Sequence, residues 1–217
     1  MSSLILELQQ KALDENISIS TLLRYALVVS KKLKIQDFEN WISAELNGYQ
    51  NSSIKLPEYR KLTGECKAFN RISGYVPVVL DETCSAENMV TTANFSNPLP
   101  ELEFLINQNS DNSISVAYPP NVESVLRKIL EHGDSFKFSL SIGKSKIQVV
   151  LDNVKNTILN WALDLEQEGI LGENMTFTVE EQQKAIEKSY INNYFYGDVS
   201  DSQIQQNSEN CTQSTQY

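Results

Sequence analysis

Histidine is almost missing from this chain: His132 is the single imidazole in 217 residues. With one histidine and no spacing motif, neither a Ser-His-Asp nor a Cys-His constellation can be read from the sequence. His132 sits in "ILEHGD" at a helix end. A histidine in a last turn interacts favourably with the helix dipole, and that reading stands ahead of a general base. Cysteine is scarce as well. Cys66, Cys84 and Cys211 are odd in number and contain no CxxC, which excludes a disulfide framework and a zinc site as sequence readings. A reactive thiolate needs cations or a helix N-terminus beside it. Lys67 adjoins Cys66, but neighbours on a strand point to opposite faces, so Cys66 reads as core filler and Cys84 as an inert loop thiol.

Basic residues are few, 18 against 28 acids, for a net charge of −10. A broad nucleic-acid surface needs clustered Lys and Arg, and the pairs Lys31-Lys32 and Lys144/Lys146 are too small to supply one. Long apolar runs are absent too. "YALVVS" falls far short of the roughly 20 residues of a membrane span. "MSSLILELQQ" has neither the basic region nor the small-residue cleavage site of a signal peptide. The expectation is a cytoplasmic protein with no membrane contact, no nucleic-acid partner and no cofactor or metal.

What is present is the texture of an α+β protein. Leu4, Ile5, Leu8, Ala12 and Leu13 recur at helical spacing. A second helix is expected from about Ile19 to Lys34, with Ser18 as N-cap, Ile17 and Leu22 as a staple and lysines in its last turns. A third runs from Gln36 to Asn47 through "FENWISAELNGY". There Phe38, Trp41, Ile42 and Tyr49 form one stripe and Glu45 flanks it. Glu39 and Glu45 are about 600° apart around the helix and do not stack as a catalytic pair. Asn47-Gly48 suits a left-handed stop.

"EYRKLTGECKAF" and "SGYVPVVL" have strand composition, residues 81 to 100 read as mostly irregular, and "LPELEFLINQ" reads as a short helix. "SISVAY" is an expected strand and "NVESVLRKILEH" an expected helix. In "SFKFSLSIGK", Phe136, Phe138, Leu140 and Ile142 alternate with polar residues, the pattern of a half-buried strand. The longest helix carries Ile147, Leu151, Val154, Ile158, Trp161 and Leu165, with Ser145 as its cap and Gly169 as its stop. Thr178 and Glu181 form a capping box for a last helix. The expected architecture is a bundle of three N-terminal helices packed with a small, mostly antiparallel sheet and a long C-terminal helix, followed by a polar tail. The expected organisation is a globular body over 1–172, a helical arm over 173–191 and an Asn/Gln/Ser-rich flexible tail over 192–217. From Glu173 onward seven acids face two lysines, half of the net charge. Within the tail, "YFYGDV" and "SQIQQ" are the runs able to form strands.

Candidate chemistry is thin. Glu58 with Arg60, or Asp164 with Glu168, could be drawn into a site, yet carboxylates do metal or glycoside chemistry only where they converge. "SIGKSK" lacks the earlier glycine and spacer of a phosphate loop.

Taken in order, "LILELQQKALDENISISTLLRYALVVSKKLKIQDFENWISAELNGY", "LPEYRKLTGE", "LDNVKNTILNWALDLEQEGILGENMTFTVEE" and "YGDVSDSQIQQNS" resemble the AbiTii domain, a family named for bacterial abortive-infection phage defence. The resemblance spans most of the chain and is weakest over about 70 to 135. It implies a bacterial, defence-associated protein of toxin-like family context and supplies no catalytic residue. Trp41, Glu45, Gly48, Tyr49, Tyr59 and Trp161 stand out as family-motif or interaction residues. Two functions are then open. One is a non-enzymatic module that binds a protein partner or self-associates. The other is a small toxin enzyme, a hydrolase or nuclease working through carboxylates such as Glu45 or Glu58.

Overall fold

A computed structural model describes residues 3–70, 72, 74–79, 87–108, 111–130 and 136–187. His132, Cys84, Cys211 and the segment from 188 onward lie outside these residues.

The N-terminal helices fall where periodicity puts them: α1 (Leu4–Leu13), α2 (Ile19–Leu33) and α3 (Gln36–Asn47). Ser18 caps α2 by accepting the Thr21 N–H at 3.2 Å. Lys34 ends the helix in the left-handed region, where its own N–H closes back on Lys31 and Ser30. A 3₁₀ turn (Glu58–Arg60) leads into β1 (Lys61–Thr63), β2 (Glu65–Asn70) and β3 (Gly74–Pro77). Then come α4 (Glu87–Thr91), β4 (Thr92–Asn94), α5 (Leu99–Gln108), β5 (Ser113–Ala117), α6 (Pro120–Ile129), β6 (Lys137–Gly143), α7 (Lys144–Gln167) and α8 (Val179–Glu187). No described helix is long and apolar enough to cross a membrane.

Two antiparallel sheets result among the described residues. One is the pair β1-β4, the other the four strands β3-β2-β6-β5. The second sheet turns Cys66, Ala68, Phe138, Leu140 and Ile142 inward on one face, as the β2–β6 register requires. Because β6 is central, its alternate residues Ser139 and Ser141 are also covered, so the strand is buried on both sides rather than one. Gly64 marks the passage from β1 to β2. A Cβ there would sit 2.6 Å from the Ser141 carbonyl oxygen, so the chain changes sheets only because that side chain is missing.

The long helix α7 is the spine of the main core. It buries Ile147, Val150, Leu151, Val154, Ile158, Trp161, Ala162 and Leu165 against α1, α2, α5 and the sheet. Its N-cap is Gly143 rather than Ser145, because the helix begins directly at the end of β6. Phe38 of α3 stacks on Trp161 with ring centroids 3.9 Å apart, an arrangement worth about 1 kcal/mol beyond burial. A smaller cluster of Cys66, Ala68, Val90, Val122, Leu126 and Phe138 sits under α4 and α6. Burial pushes the Cys66 thiol up, away from the thiolate.

The expected capping box closes α8: Thr178 Oγ1 accepts the Glu181 N–H at 3.1 Å and Glu181 Oε2 accepts the Thr178 N–H at 2.8 Å. The same carboxylate reaches further. Its Oε1 takes the N–H groups of Leu171 and Gly172 at 2.9 and 3.0 Å, joining α8 to the turn after α7. Gln182 Nε2 donates to the Lys32 carbonyl at 2.9 Å and Ala185 is buried in the main core, so α8 is packed on α2.

Candidate functional site

The C-terminal turn of α3 and the 3₁₀ turn bring together residues that lie apart in the sequence. Glu45 occupies the inner face of α3 with Phe38, Trp41 and Ile42, and its side chain is fully buried. This differs from its expected place at the flank of the stripe. The reason is Arg60, also fully buried, whose Nη2 donates to Glu45 Oε2. A lone carboxylate would not be tolerated there, since an uncompensated charge costs several kcal/mol.

The second oxygen is equally engaged. Tyr49 and Tyr59 both donate to Glu45 Oε1, at 2.5 and 2.6 Å, and Trp41 Nε1 donates to the Tyr59 hydroxyl at 3.0 Å. Arg60 Nη1 donates to the carbonyls of Phe95 at 3.2 Å and Asn97 at 2.8 Å. Its guanidinium lies 5.2 Å from the Tyr49 ring centroid, within cation–π range. Burial first, then the Glu45 charge, holds both tyrosine hydroxyls well above their ordinary ionisation range. Both therefore stay protonated, as donors to a carboxylate must.

Gly48 ends α3 and makes this geometry possible. Its φ is +88° with ψ 163°, an extended left-handed conformation open essentially to glycine, rather than the αL stop expected from the sequence. The chain leaves the helix at once, and Tyr49 N–H donates to the Ser96 carbonyl at 2.8 Å. A Cβ on Gly48 would meet that same oxygen at 2.8 Å.

Four of the six residues singled out in the sequence (Trp41, Glu45, Tyr49 and Tyr59) therefore share one hydrogen-bonded network, and Gly48 sets the chain path that brings Tyr49 into it. Trp161 joins it at second hand, through Phe38, which also faces Trp41 at 5.1 Å between centroids. Arg60 is the member that sequence reasoning did not single out. Its signal was its place beside Tyr59, but it was paired there with Glu58. Glu58 instead is exposed and bonded to Lys61 at 2.7 Å, a contact that holds its carboxyl below the usual range. Asp164 is half-buried on α7 and Glu168 is exposed at its C-cap.

Behind the network opens a cleft of about 640 Å³ between α3 and the 95–98 segment. Asn40, Ser43, Asn47, Ser52 and Asn97 line it, and Glu101 is its one charged residue among the described lining. Such a surface offers amide and hydroxyl hydrogen bonds and no cation for a phosphate. Among the described residues no three His, Cys, Asp or Glu side chains converge as metal ligands would.

The AbiTii family model matches residues 3–190 of the chain. No curated protein and no solved structure matches it.

Proposed function

Because the chain belongs to the AbiTii family, we propose that it acts in bacterial abortive-infection phage defence as a non-enzymatic interaction or assembly module. The observation that supports this reading is the enclosure of Glu45. Among the described residues the Glu45–Arg60 pair is the carboxylate–guanidinium pair buried at both ends, and both carboxylate oxygens are occupied by protein donors. A general base or nucleophile must reach its substrate within hydrogen-bond distance, which this carboxylate cannot do without opening the core. Its arrangement ties α3, the 3₁₀ turn and the 95–97 segment into one rigid unit. Contact with a protein partner or a second copy then falls to the outer surface.

The test separates this from a carboxylate-based toxin hydrolase or nuclease. Glu58→Gln and Glu101→Gln alter exposed acids, one of them in the cleft, without touching the core. Each variant is challenged with phage in cells and its mass measured by light scattering. A module keeps its protection in both variants, and the purified full chain carries a second copy or a protein partner. Loss of protection in either variant, with circular dichroism and mass unchanged, would overturn the module in favour of the enzyme.

A further inference from the structure

Internal hydrogen bonds give the cleft between α3 and the 95–98 segment a one-sided chemistry. Asn47 Nδ2 donates to the Ser43 carbonyl at 2.8 Å, and Asn97 Nδ2 donates to Glu101 Oε1 at 3.1 Å. A carbonyl and a carboxylate only accept, so these bonds fix which end of each carboxamide is oxygen. Each amide nitrogen is thus tied to the protein. Among the described residues nothing donates to either Oδ1 or to Glu101 Oε2. Three oxygen acceptors, one of them on a carboxylate, therefore belong to residues lining the cleft. Asn40 is turned the other way, its Oδ1 accepting from Gln36 Nε2 at 3.0 Å, while Gln50 and Asn51 carry both kinds of group. The balance favours a ligand that donates.

We propose that the cleft receives an arginine side chain of a protein partner. A guanidinium is a planar fork of donors with no acceptor, and it is more weakly hydrated than an ammonium. Charge complementarity points the same way. Glu101 is the one charged residue of the described lining, and the net charge of −10 draws a basic partner towards the chain. Other ligands fit less well. A phosphate finds no cation in the described lining, and a sugar ring finds no aromatic face there. One carboxylate and two amide oxygens fall short of the roughly six to eight oxygens that calcium takes. The walls are also held in place. Arg60 Nη1 binds the Phe95 and Asn97 carbonyls and the Tyr49 N–H binds that of Ser96, so the buried network preorganises the cleft. That the arginine belongs to a protein rests on the module reading above; the acceptor chemistry does not.

The test is an NMR titration of the full chain with the capped tripeptides Gly-Arg-Gly, Gly-Lys-Gly and Gly-citrulline-Gly, read at the backbone amides of Asn47, Asn97 and Glu101. The arginine peptide should give saturable shifts with a Kd of about 1–10 mM, as suits a single side-chain contact. The lysine peptide should bind at least about threefold more weakly, lacking the fork, and the uncharged citrulline peptide should not saturate. Glu101→Lys should abolish the shifts, and Asn47→Leu, which removes one acceptor, should weaken them about threefold to tenfold, both with circular dichroism unchanged. Glu101→Gln keeps an oxygen and should weaken the peptide only about fivefold, so protection in cells by that variant still reads on module against enzyme. Citrulline binding as well as arginine, no saturable shift, or shifts that survive Glu101→Lys would overturn the proposal. Displacement of the arginine peptide by calcium chloride would do so too, assigning the oxygens to a metal. None of these outcomes involves phage, so a failed titration leaves the module reading standing, and loss of protection in Glu58→Gln leaves the titration standing.

Discussion

Arg60 and Glu45 meet fifteen positions apart in the sequence with both side chains fully withdrawn from solvent. Each is the reason the other can be there. Arg60→Met leaves a buried carboxylate with two hydroxyl donors and no cation, and should cost about 3–5 kcal/mol. Glu45→Gln leaves a buried guanidinium with no counter-charge and should cost a similar amount. The double variant should cost clearly less than the sum, with a coupling of about 1.5–3 kcal/mol. Urea unfolding of the four proteins measures this cycle, and additive losses would show that the pair does not act as a unit.

Gly48→Ala should be costly out of proportion to one methyl group. The new Cβ meets the Ser96 carbonyl oxygen at 2.8 Å, and φ of +88° is strained for any side chain. A loss of about 2–4 kcal/mol is expected in thermal or urea unfolding. Gly74→Ala is the comparison: φ is also positive, +71°, but its Cβ would meet nothing within 4 Å, so the loss there should be smaller.

Alkaline pH should unfold the protein through Tyr49 and Tyr59. Their folded-state ionisation lies above the ordinary value of 10.0, so their contribution is intact below about pH 10. Above it the unfolded chain loses protons that the folded chain retains, and stability falls by about 1.4 kcal/mol per pH unit for each buried tyrosine. Tyrosinate absorbance followed with unfolding should show these groups ionising only as the fold opens. Tyr59→Phe should flatten the slope by about one proton.

At the acid end Glu181 sets the opposite dependence. Partial burial works to raise its pKa, but the N–H donors of Gly172, Thr178 and Leu171 outweigh that and hold it below 4.5. Its stabilisation is present above that pH and is lost as pH falls through the lowered folded value. Glu181→Gln should cost about 1 kcal/mol at neutral pH and reduce the acid-side slope. An unchanged slope in the variant would show that the clamp does not hold in solution.

Local signals account for most of what the sequence made legible. Ser18, the lysines of α2, the span of α3 and the Thr178–Glu181 box each act over a few residues, and each could be read without knowing what packs against it. The α7 cap and the Gly48 backbone are local misses, while the larger ones are non-local. α4 and β4 lie in an Asn- and Thr-rich stretch with weak propensities. β4 exists because Lys61–Thr63 offers it a ladder from thirty residues away. Glu45 read as a flanking acid because its counter-charge is supplied only by the fold. Arg60 reads from the sequence as a partner of nearby Glu58, whereas the interior pairs it with Glu45 of α3.

The first helix has its own consequence. Its Leu4 and Ile5 N–H groups donate to the carbonyls of Gly172 and Leu171, and its apolar face packs on α7. During synthesis those partners emerge about 168 residues later, an interval of about 10–30 s at ordinary ribosome speeds. Through that interval Leu4, Ile5 and Leu8 have no α7 to cover them. The newborn chain thus presents a greasy first helix, a ready handle for chaperones, until α7 and the turn after it have emerged.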